Sequence, residues 1–153
     1  MRLIDISTSH KELNDYLFNQ IGVFDPAEKV VKVEIPGEGN MNVVLRIQTN
    51  KRSFILKQSR PFVNKYPEII SSKERIVVEN KFYNEVLKKK IKVSFPNKIK
   101  FVRDDFVLIL EDLGVCKDMT YLYNKNELSD IHINKLIQII SSVHSLEVKK
   151  YPL

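Results

Sequence analysis

Four features of this chain, taken in sequence order, carry groups that could hold a phosphorylated ligand. Gly37 and Gly39 lie in a turn, where missing side chains let backbone amides approach a phosphate. Lys57 ends an apolar run and offers a cation, and Glu79 is a charge inside an apolar stretch that could fix this lysine by an ion pair. Glu111 begins an acidic segment after another apolar run, where backbone groups could face a base. This order indicates an ATP site, although none of the four features is decisive alone.

The turn Gly37-Glu38-Gly39-Asn40 has two interpretations. Its backbone could cover phosphates, or it could be an ordinary hairpin turn, which is the favoured interpretation of a lone Gly-x-Gly. The turn is not the dinucleotide-binding fingerprint, because a strand rather than a helix is predicted after the glycines.

Lys57 is predicted near the end of a strand over residues 53–58. Side chains alternate between the faces of a strand, so Ile55 and Lys57 share one face while Phe54 and Leu56 share the other. We expect Phe54 and Leu56 to pack on the long helix, Ile55 to cover an adenine ring and Lys57 to reach the phosphates. A lysine that faces solvent at a strand end is the alternative.

Glu79 and the segment 110–114 also have ordinary alternatives. Glu79 could be a surface glutamate, and Leu110-Glu111-Asp112-Leu113-Gly114 could be a strand end with helix-cap chemistry. In the nucleotide interpretation, Glu79 pairs with Lys57, and the segment offers its backbone to adenine. The order of the four features on their predicted elements favours the nucleotide interpretation.

Hydrophobic periodicity predicts the elements that position these residues. A capping box at Ser9 and Glu12 begins a first helix, and Ser71 with Glu74 begins a long one. Residues 61–67 are expected to be irregular. The predicted helices cover residues 9–20, 71–90, 119–123 and 129–146, and the predicted strands cover 31–35, 42–47, 53–58, 98–102 and 106–110. Five strands with one long helix after the third predict an α+β fold with a mostly antiparallel sheet.

Composition limits the function classes. The net charge of the 153 residues is +6, and part of it lies in the run Lys88 to Lys92. We interpret this run as a solvated helix end and not as a nucleic-acid site, because no aromatic residues interleave to stack bases. Cys116 is the single cysteine, and no apolar run approaches the roughly 18 residues of a membrane span. A cytoplasmic protein that binds neither nucleic acid nor membrane is expected.

The residues around these features resemble one family. The segment from Glu34 to Arg46 resembles the nucleotide-loop segment of methylthioribose kinases, which belong with the aminoglycoside phosphotransferases and choline kinases. The resemblance covers residues 30 to 114, and its most specific pieces are Asn-Met-Asn at 40–42 and Lys-Gln-x-x-Pro-Phe-Val at 57–63. It continues through Ile55-Leu56-Lys57-Gln58, Arg75-Ile76-Val77-Val78-Glu79 and Leu110-Glu111-Asp112-Leu113. The general protein-kinase motifs Gly-x-Gly-x-x-Gly-x-Val and Val-Ala-Ile-Lys are not found.

This resemblance implies a fold and a reaction. Residues 1–114 would form a protein-kinase-like N-terminal lobe, and residues 115–153 would form the hinge exit and the first helices of a C-terminal lobe. The family uses ATP and magnesium, and methylthioribose kinases phosphorylate the anomeric hydroxyl of their sugar in methionine salvage. The partners would be ATP and a sugar. The implied ATP-binding residues are Gly37, Gly39 and Asn40 on the phosphates, Lys57 held by Glu79, Ile55 over adenine, and the backbone of Glu111 and Leu113 at the base.

The catalytic residues of the family are not found in these 153 residues. Those enzymes carry a catalytic-loop aspartate, a nearby asparagine and a magnesium-binding aspartate in the C-terminal lobe. No His-x-Asp or Asp-Phe-Gly-like segment follows Leu113, and Asp118 and Asp130 stand in no such context. We therefore expect no catalytic or metal residue here, magnesium ligands in a lobe beyond this sequence, and no activity from this chain, which we interpret as a fragment.

Three alternatives remain open at this point. The full enzyme could be an aminoglycoside- or choline-type phosphotransferase with another acceptor. The chain could instead be a non-catalytic lobe that binds a partner. A nucleic-acid binder is a third alternative and predicts steep salt dependence. Because the lobe interface would be exposed, we also expect the chain to self-associate as a homodimer.

Overall fold

The computed structural model describes residues 1–37, 39–89, 95–115 and 129–145. They form an α+β structure with three α-helices and a five-stranded antiparallel sheet. The chain divides into two units, Met1–Lys81 with Pro96–Gly114 and Phe82–Phe95 with Val115–Leu153, and each is described by itself. In this part of the chain, no helix has both the length and the apolar character needed to cross a bilayer.

Helix α1 (His10–Asn14) begins at a capping box and continues as a π-helical segment at Asp15–Gln20. The N–H of Glu12 donates to Ser9 Oγ at 3.3 Å, and the N–H of Ser9 donates to the Glu12 carboxylate at 3.1 Å. The helix predicted from Ser9 to Gln20 is thus confirmed. Its apolar face is buried and consists of Leu13, Tyr16, Leu17 and Phe18.

Seven strands are described, and five of them form one sheet. The strands are β1 (Val30–Glu34), β2 (Val43–Thr49), β3 (Ser53–Gln58), β4 (Phe62–Val63), β5 (Tyr66–Ile70), β6 (Lys98–Val102) and β7 (Val107–Glu111). The sheet has the order β1–β2–β3–β7–β6 with every neighbouring pair antiparallel. Helix α2 (Arg75–Lys89) follows the third strand of this sheet along the chain. The predicted five strands and their antiparallel pairing are confirmed.

Strands β4 and β5 form a separate antiparallel hairpin. The prediction that residues 61–67 are irregular is wrong, because proline can occupy a short strand that lies outside the main sheet. The predicted start of the long helix is also wrong. The Ser71 hydroxyl accepts a hydrogen bond from the Arg75 side chain, the N–H of Glu74 donates to Ser72 Oγ at 3.1 Å, and the helix begins at Arg75.

The core of the first unit lies on one face of the sheet. Phe54 and Leu56 are fully buried in a cluster with Leu13 and Tyr16, and Ile76 of α2 is not part of this cluster. The prediction that Phe54 and Leu56 pack on the long helix is therefore wrong. The apolar face of the N-terminal helix covers this side of the sheet instead.

Gln58 fastens the N-terminal segment to the end of β3. Its side chain is fully buried and accepts from the N–H of Ile4 at 2.9 Å. Its amide nitrogen donates to the carbonyls of Arg2 at 2.5 Å and Asp105 at 3.0 Å. A buried amide with all these partners is stabilising. The glutamine in the Lys-Gln-x-x-Pro-Phe-Val piece therefore has a structural role.

The second unit contains the end of α2 and helix α3 (Asp130–His144). The ring of Phe82 meets the ring of Phe95 edge-on, with centroids 5.6 Å apart. Helix α3 matches the predicted helix over 129–146 within two residues, and its isoleucines at 131, 133, 137, 139 and 140 are exposed. The predicted helix over 119–123, Cys116 and the lysines from 90 to 92 lie outside the described residues.

Candidate functional site

Lys57 and Glu79 form an ion pair between β3 and α2. Lys57 Nζ donates to Glu79 Oε1 at 2.5 Å, and each side chain keeps 24% of its surface exposed. Since Leu56 faces the core, alternation places Lys57 on the opposite face of β3, where α2 approaches it. The structure thus brings these two predicted site residues together. The ammonium is held in place, and the pair remains open to a ligand.

An apolar surface adjoins the Lys57 ammonium on the same face. Lys57 is in register with Val44 of β2 and Leu108 of β7, and Ile55 is in register with Leu110. Directly opposed residues of antiparallel strands share a face. Val44 and Ile55 are half-buried, whereas the two leucines are buried. Val44 and Ile55 are therefore the partly accessible apolar side chains beside the Lys57 ammonium on this face, an arrangement that suits a flat ring that carries an anionic group.

The glycine turn is exposed, and the fold itself does not require its glycines. Gly37 and Gly39 lack positive φ angles, and a Cβ at Gly37 would meet nothing within 4 Å. A Cβ at Gly39 would make ordinary contacts, the nearest with the Asn42 carbonyl at 3.5 Å. The structure contains no internal strain or close packing that selects glycine here. A ligand that approaches the backbone closely would explain why glycine occupies these two positions.

Two clefts adjoin this turn. One, of about 130 Å³, is lined in part by Gly37, Gly39, Asn42 and Val44. The other, of about 460 Å³, is lined by Ile35, Gly37, Gly39, Asn40 and Lys65. Lys57 lines neither cleft. Val44 lines the smaller cleft and is in register with Lys57, so it lies between the turn and the ion pair.

The β4–β5 hairpin holds the end of the glycine turn. The N–H of Lys65 donates to the Asn40 carbonyl at 3.0 Å, and the N–H of Asn64 donates to the Met41 carbonyl at 3.3 Å. Lys65 also lines the larger cleft, so its charge lies beside the turn. Sequence reasoning missed Lys65 because it assigned no structure to residues 61–67.

The segment after β7 is fixed by Arg46. Its Nε donates to Asp112 Oδ2 at 2.9 Å, and its Nη2 donates to Asp112 Oδ1 at 3.1 Å and to the Gly114 carbonyl at 2.8 Å. The Asp112 side chain is 4% exposed, and Gly114 adopts a φ of +80° that favours glycine. A bidentate arginine–carboxylate pair sets orientation as well as distance. The sequence analysis missed Arg46. The signal that could have identified it is a charged residue between Leu45 and Ile47, which both face the core.

Glu111 and Leu113 lie on either side of this anchored aspartate. The N–H of Glu111 donates to the Asn97 carbonyl at 2.8 Å, and the Glu111 carboxylate accepts from Asn97 Nδ2 at 2.7 Å. The N–H of Glu111 is therefore already used within the chain. Leu113 is 55% exposed. The segment is accessible, and its conformation is fixed by side-chain hydrogen bonds.

The pKa of Asp112 predicts how stability depends on acid. Burial raises this pKa, but hydrogen bonds from Ser53, Arg46 and the Gly114 N–H outweigh it, so the pKa lies below its ordinary value of 3.8. The folded state then binds fewer protons than the unfolded state as pH falls, and the stabilisation present above pH 3.8 is lost through the folded pKa. We expect Asp112→Asn to flatten the pH dependence of the unfolding free energy in this range.

Chemical denaturation between about pH 5 and pH 3 measures this effect. Asp104→Asn is the matched control, because Asp104 is exposed in the turn between β6 and β7. If Asp112→Asn and wild type lose stability in parallel on acidification, the carboxylate at position 112 is not responsible.

The described residues contain no group of three or more His, Cys, Asp or Glu side chains that could hold a metal ion. A scan against protein-family models and a search of curated proteins found no match to this chain.

Proposed function

We propose that this chain is the ATP-binding, N-terminal part of a small-molecule kinase with a protein-kinase-like fold. The resemblance to methylthioribose kinases makes a sugar hydroxyl the proposed acceptor of the γ-phosphoryl group. In this proposal, the chain binds and orients ATP, and its catalytic and magnesium-binding residues belong to a second lobe outside these 153 residues.

The observation that carries the proposal is the Lys57–Glu79 ion pair. In kinases a lysine on the third strand contacts the α- and β-phosphates, and a glutamate on the following helix fixes it. Here the lysine is on the third strand of a five-stranded antiparallel sheet, and the glutamate is on the helix that follows. A carboxylate that holds an ammonium on a half-open face, beside half-buried Val44 and Ile55, supports a role in positioning a nucleotide.

Each remaining group has a place in this proposal. Ile55 and Val44 would cover adenine, and the amides of Gly37, Gly39 and Asn40 would face the phosphates. The carbonyl of Glu111 and the backbone of Leu113 would bind the base edge. Arg46 and Asp112 would keep that segment in place without touching the nucleotide.

Calorimetric titration of the 153-residue chain with ATP, ADP, AMP and adenosine, in one magnesium-containing buffer, tests the proposal. A charge-assisted contact contributes about 1.5–3 kcal/mol, so we expect ATP to bind at least about tenfold more tightly than adenosine. GTP is the control for base recognition and should bind more weakly than ATP. Equal affinities for ATP and adenosine, or no binding of either, would contradict the proposal.

A further inference from the structure

Arg75, the first residue of α2, connects the glycine turn to this helix. Its Nη2 donates to the carbonyl of Met41 at 3.1 Å and to Asn42 Oδ1 at 3.1 Å. Its Nη1 donates to the Ser72 carbonyl at 2.6 Å and to the Ser71 hydroxyl. One guanidinium therefore joins the residues that follow the turn to the residues that precede the helix.

The surroundings of Arg75 show that its position is fixed. Asn42 Oδ1, which Arg75 contacts, also accepts from Ser59 Oγ at 3.2 Å. The Arg75 Nε is buried without a hydrogen-bond partner among the described residues, and burial lowers the pKa of the guanidinium. Arginine nonetheless stays charged at neutral pH. A desolvated cation with several directional bonds leaves little freedom to the segments that it joins.

Helical geometry relates this contact to the ion pair. Arg75 and Glu79 are four residues apart on α2, so they lie on the same face of the helix in successive turns. Arg75 contacts the end of the glycine turn, and Glu79 contacts Lys57. One face of one helix therefore fixes both groups that would meet the phosphates of a nucleotide.

We propose that Arg75 is a positioning residue that sets the glycine turn in register with the Lys57–Glu79 pair, so that both engage one polyphosphate together. This inference rests on the proposed function and deepens it. Arg75 does not touch the nucleotide. It acts through Met41 and Asn42, which follow the turn directly, and its planar fork cannot be replaced by the single ammonium of lysine.

The test compares the affinities of ATP and adenosine in Arg75→Lys and Arg75→Met by calorimetry. The expected result is a loss of about tenfold in the ratio of ATP to adenosine affinity in both variants, with adenosine affinity unchanged. A purely structural role would weaken both ligands together. Arg103→Met is the matched control, because exposed Arg103 pairs with Glu74 at 2.9 Å, next to Arg75 in sequence, and this variant should keep the wild-type ratio.

The outcomes separate this inference from the proposed function. If wild type binds ATP no better than adenosine, the proposed function fails first. If wild type shows the preference and both Arg75 variants retain it, or Arg75→Lys alone retains it, the positioning role of the fork is wrong. Should the Arg75 variants fail to fold, Asn42→Ala decides, because it removes one acceptor of Arg75: a reduced ratio supports the inference, and an unchanged ratio overturns it.

Discussion

Lys57→Met is expected to remove most of the preference of this chain for ATP over adenosine. The ammonium is the cation that the ion pair with Glu79 holds on the side of β3 opposite the core cluster. Losing a charge-assisted contact costs about 1.5–3 kcal/mol, which corresponds to roughly a ten- to hundredfold weaker binding of ATP. Adenosine affinity should not change, because the substitution removes no group that faces the base. Calorimetry on wild type and variant measures both affinities.

Two further variants make this result specific. Glu79→Gln keeps the size of the side chain but removes its charge, so Lys57 loses its fixed position. ATP binding should also weaken, but by less than in Lys57→Met. Lys51→Met is the matched control: Lys51 pairs with Asp25 at 2.9 Å, just before β3, and both side chains are exposed. A loss of ATP affinity in Lys51→Met equal to that in Lys57→Met would show a general effect of net charge.

Phe54 and Ile55 are neighbours on opposite faces of β3. We expect Phe54→Ala to lower mainly the unfolding free energy and Ile55→Ala to lower mainly the affinity for ATP and adenosine. Phe54 is fully buried against the N-terminal helix, and truncating a buried phenylalanine costs about 3–5 kcal/mol of unfolding free energy. Ile55 is half-buried on the Lys57 face, so its truncation should cost less stability. It should instead weaken ATP and adenosine by the same factor, because the apolar cover over the base is lost.

Denaturant unfolding and calorimetry on the two variants measure these effects separately. Leu56→Ala should behave like Phe54→Ala, since both side chains belong to the same core cluster. Comparable stability losses at positions 54 and 55, or a change in ATP affinity without a change in adenosine affinity in Ile55→Ala, would contradict the assignment of the two faces.

The sequence predicted the sheet well because its strands have local signals. Residues 53–58 and 98–102 were predicted with the observed bounds, since alternation and flanking turns fix a strand within a few residues. The first helix was predicted because Ser9 and Glu12 form a capping box that acts within one turn. In each of these cases, the groups that determine the element lie close together along the chain.

The errors concern contacts between distant segments. Phe54 and Leu56 alternate correctly with Ile55 and Lys57, but alternation does not show which helix covers each face. The β4–β5 hairpin was missed because prolines at 61 and 67 indicate a loop when its pairing partner is unknown. The start of α2 was misplaced because Ser71 and Ser72 bond the Arg75 side chain and the Glu74 N–H in place of a capping box.

The candidate site, like the fold, was predicted only in part. The pairing of Lys57 with Glu79 was expected from the order of the features along the chain and is present in the structure. The fixed segment around Asp112 was not expected, because Arg46 lies 66 residues away in sequence. The tie between Arg75 and the glycine turn was missed for the same reason, at a separation of 33 residues.

Amide chemical shifts of the labelled chain, recorded by NMR as ATP is added, test the central claim most directly. The claim is that the glycine turn, the Lys57–Glu79 pair and the segment after β7 surround one nucleotide. It predicts saturable shifts at Gly37, Gly39 and Asn40, at Lys57, and at Leu113, with the shifts at the glycine turn smaller for adenosine. No shifts with ATP, or shifts confined to residues away from these three segments, would contradict it.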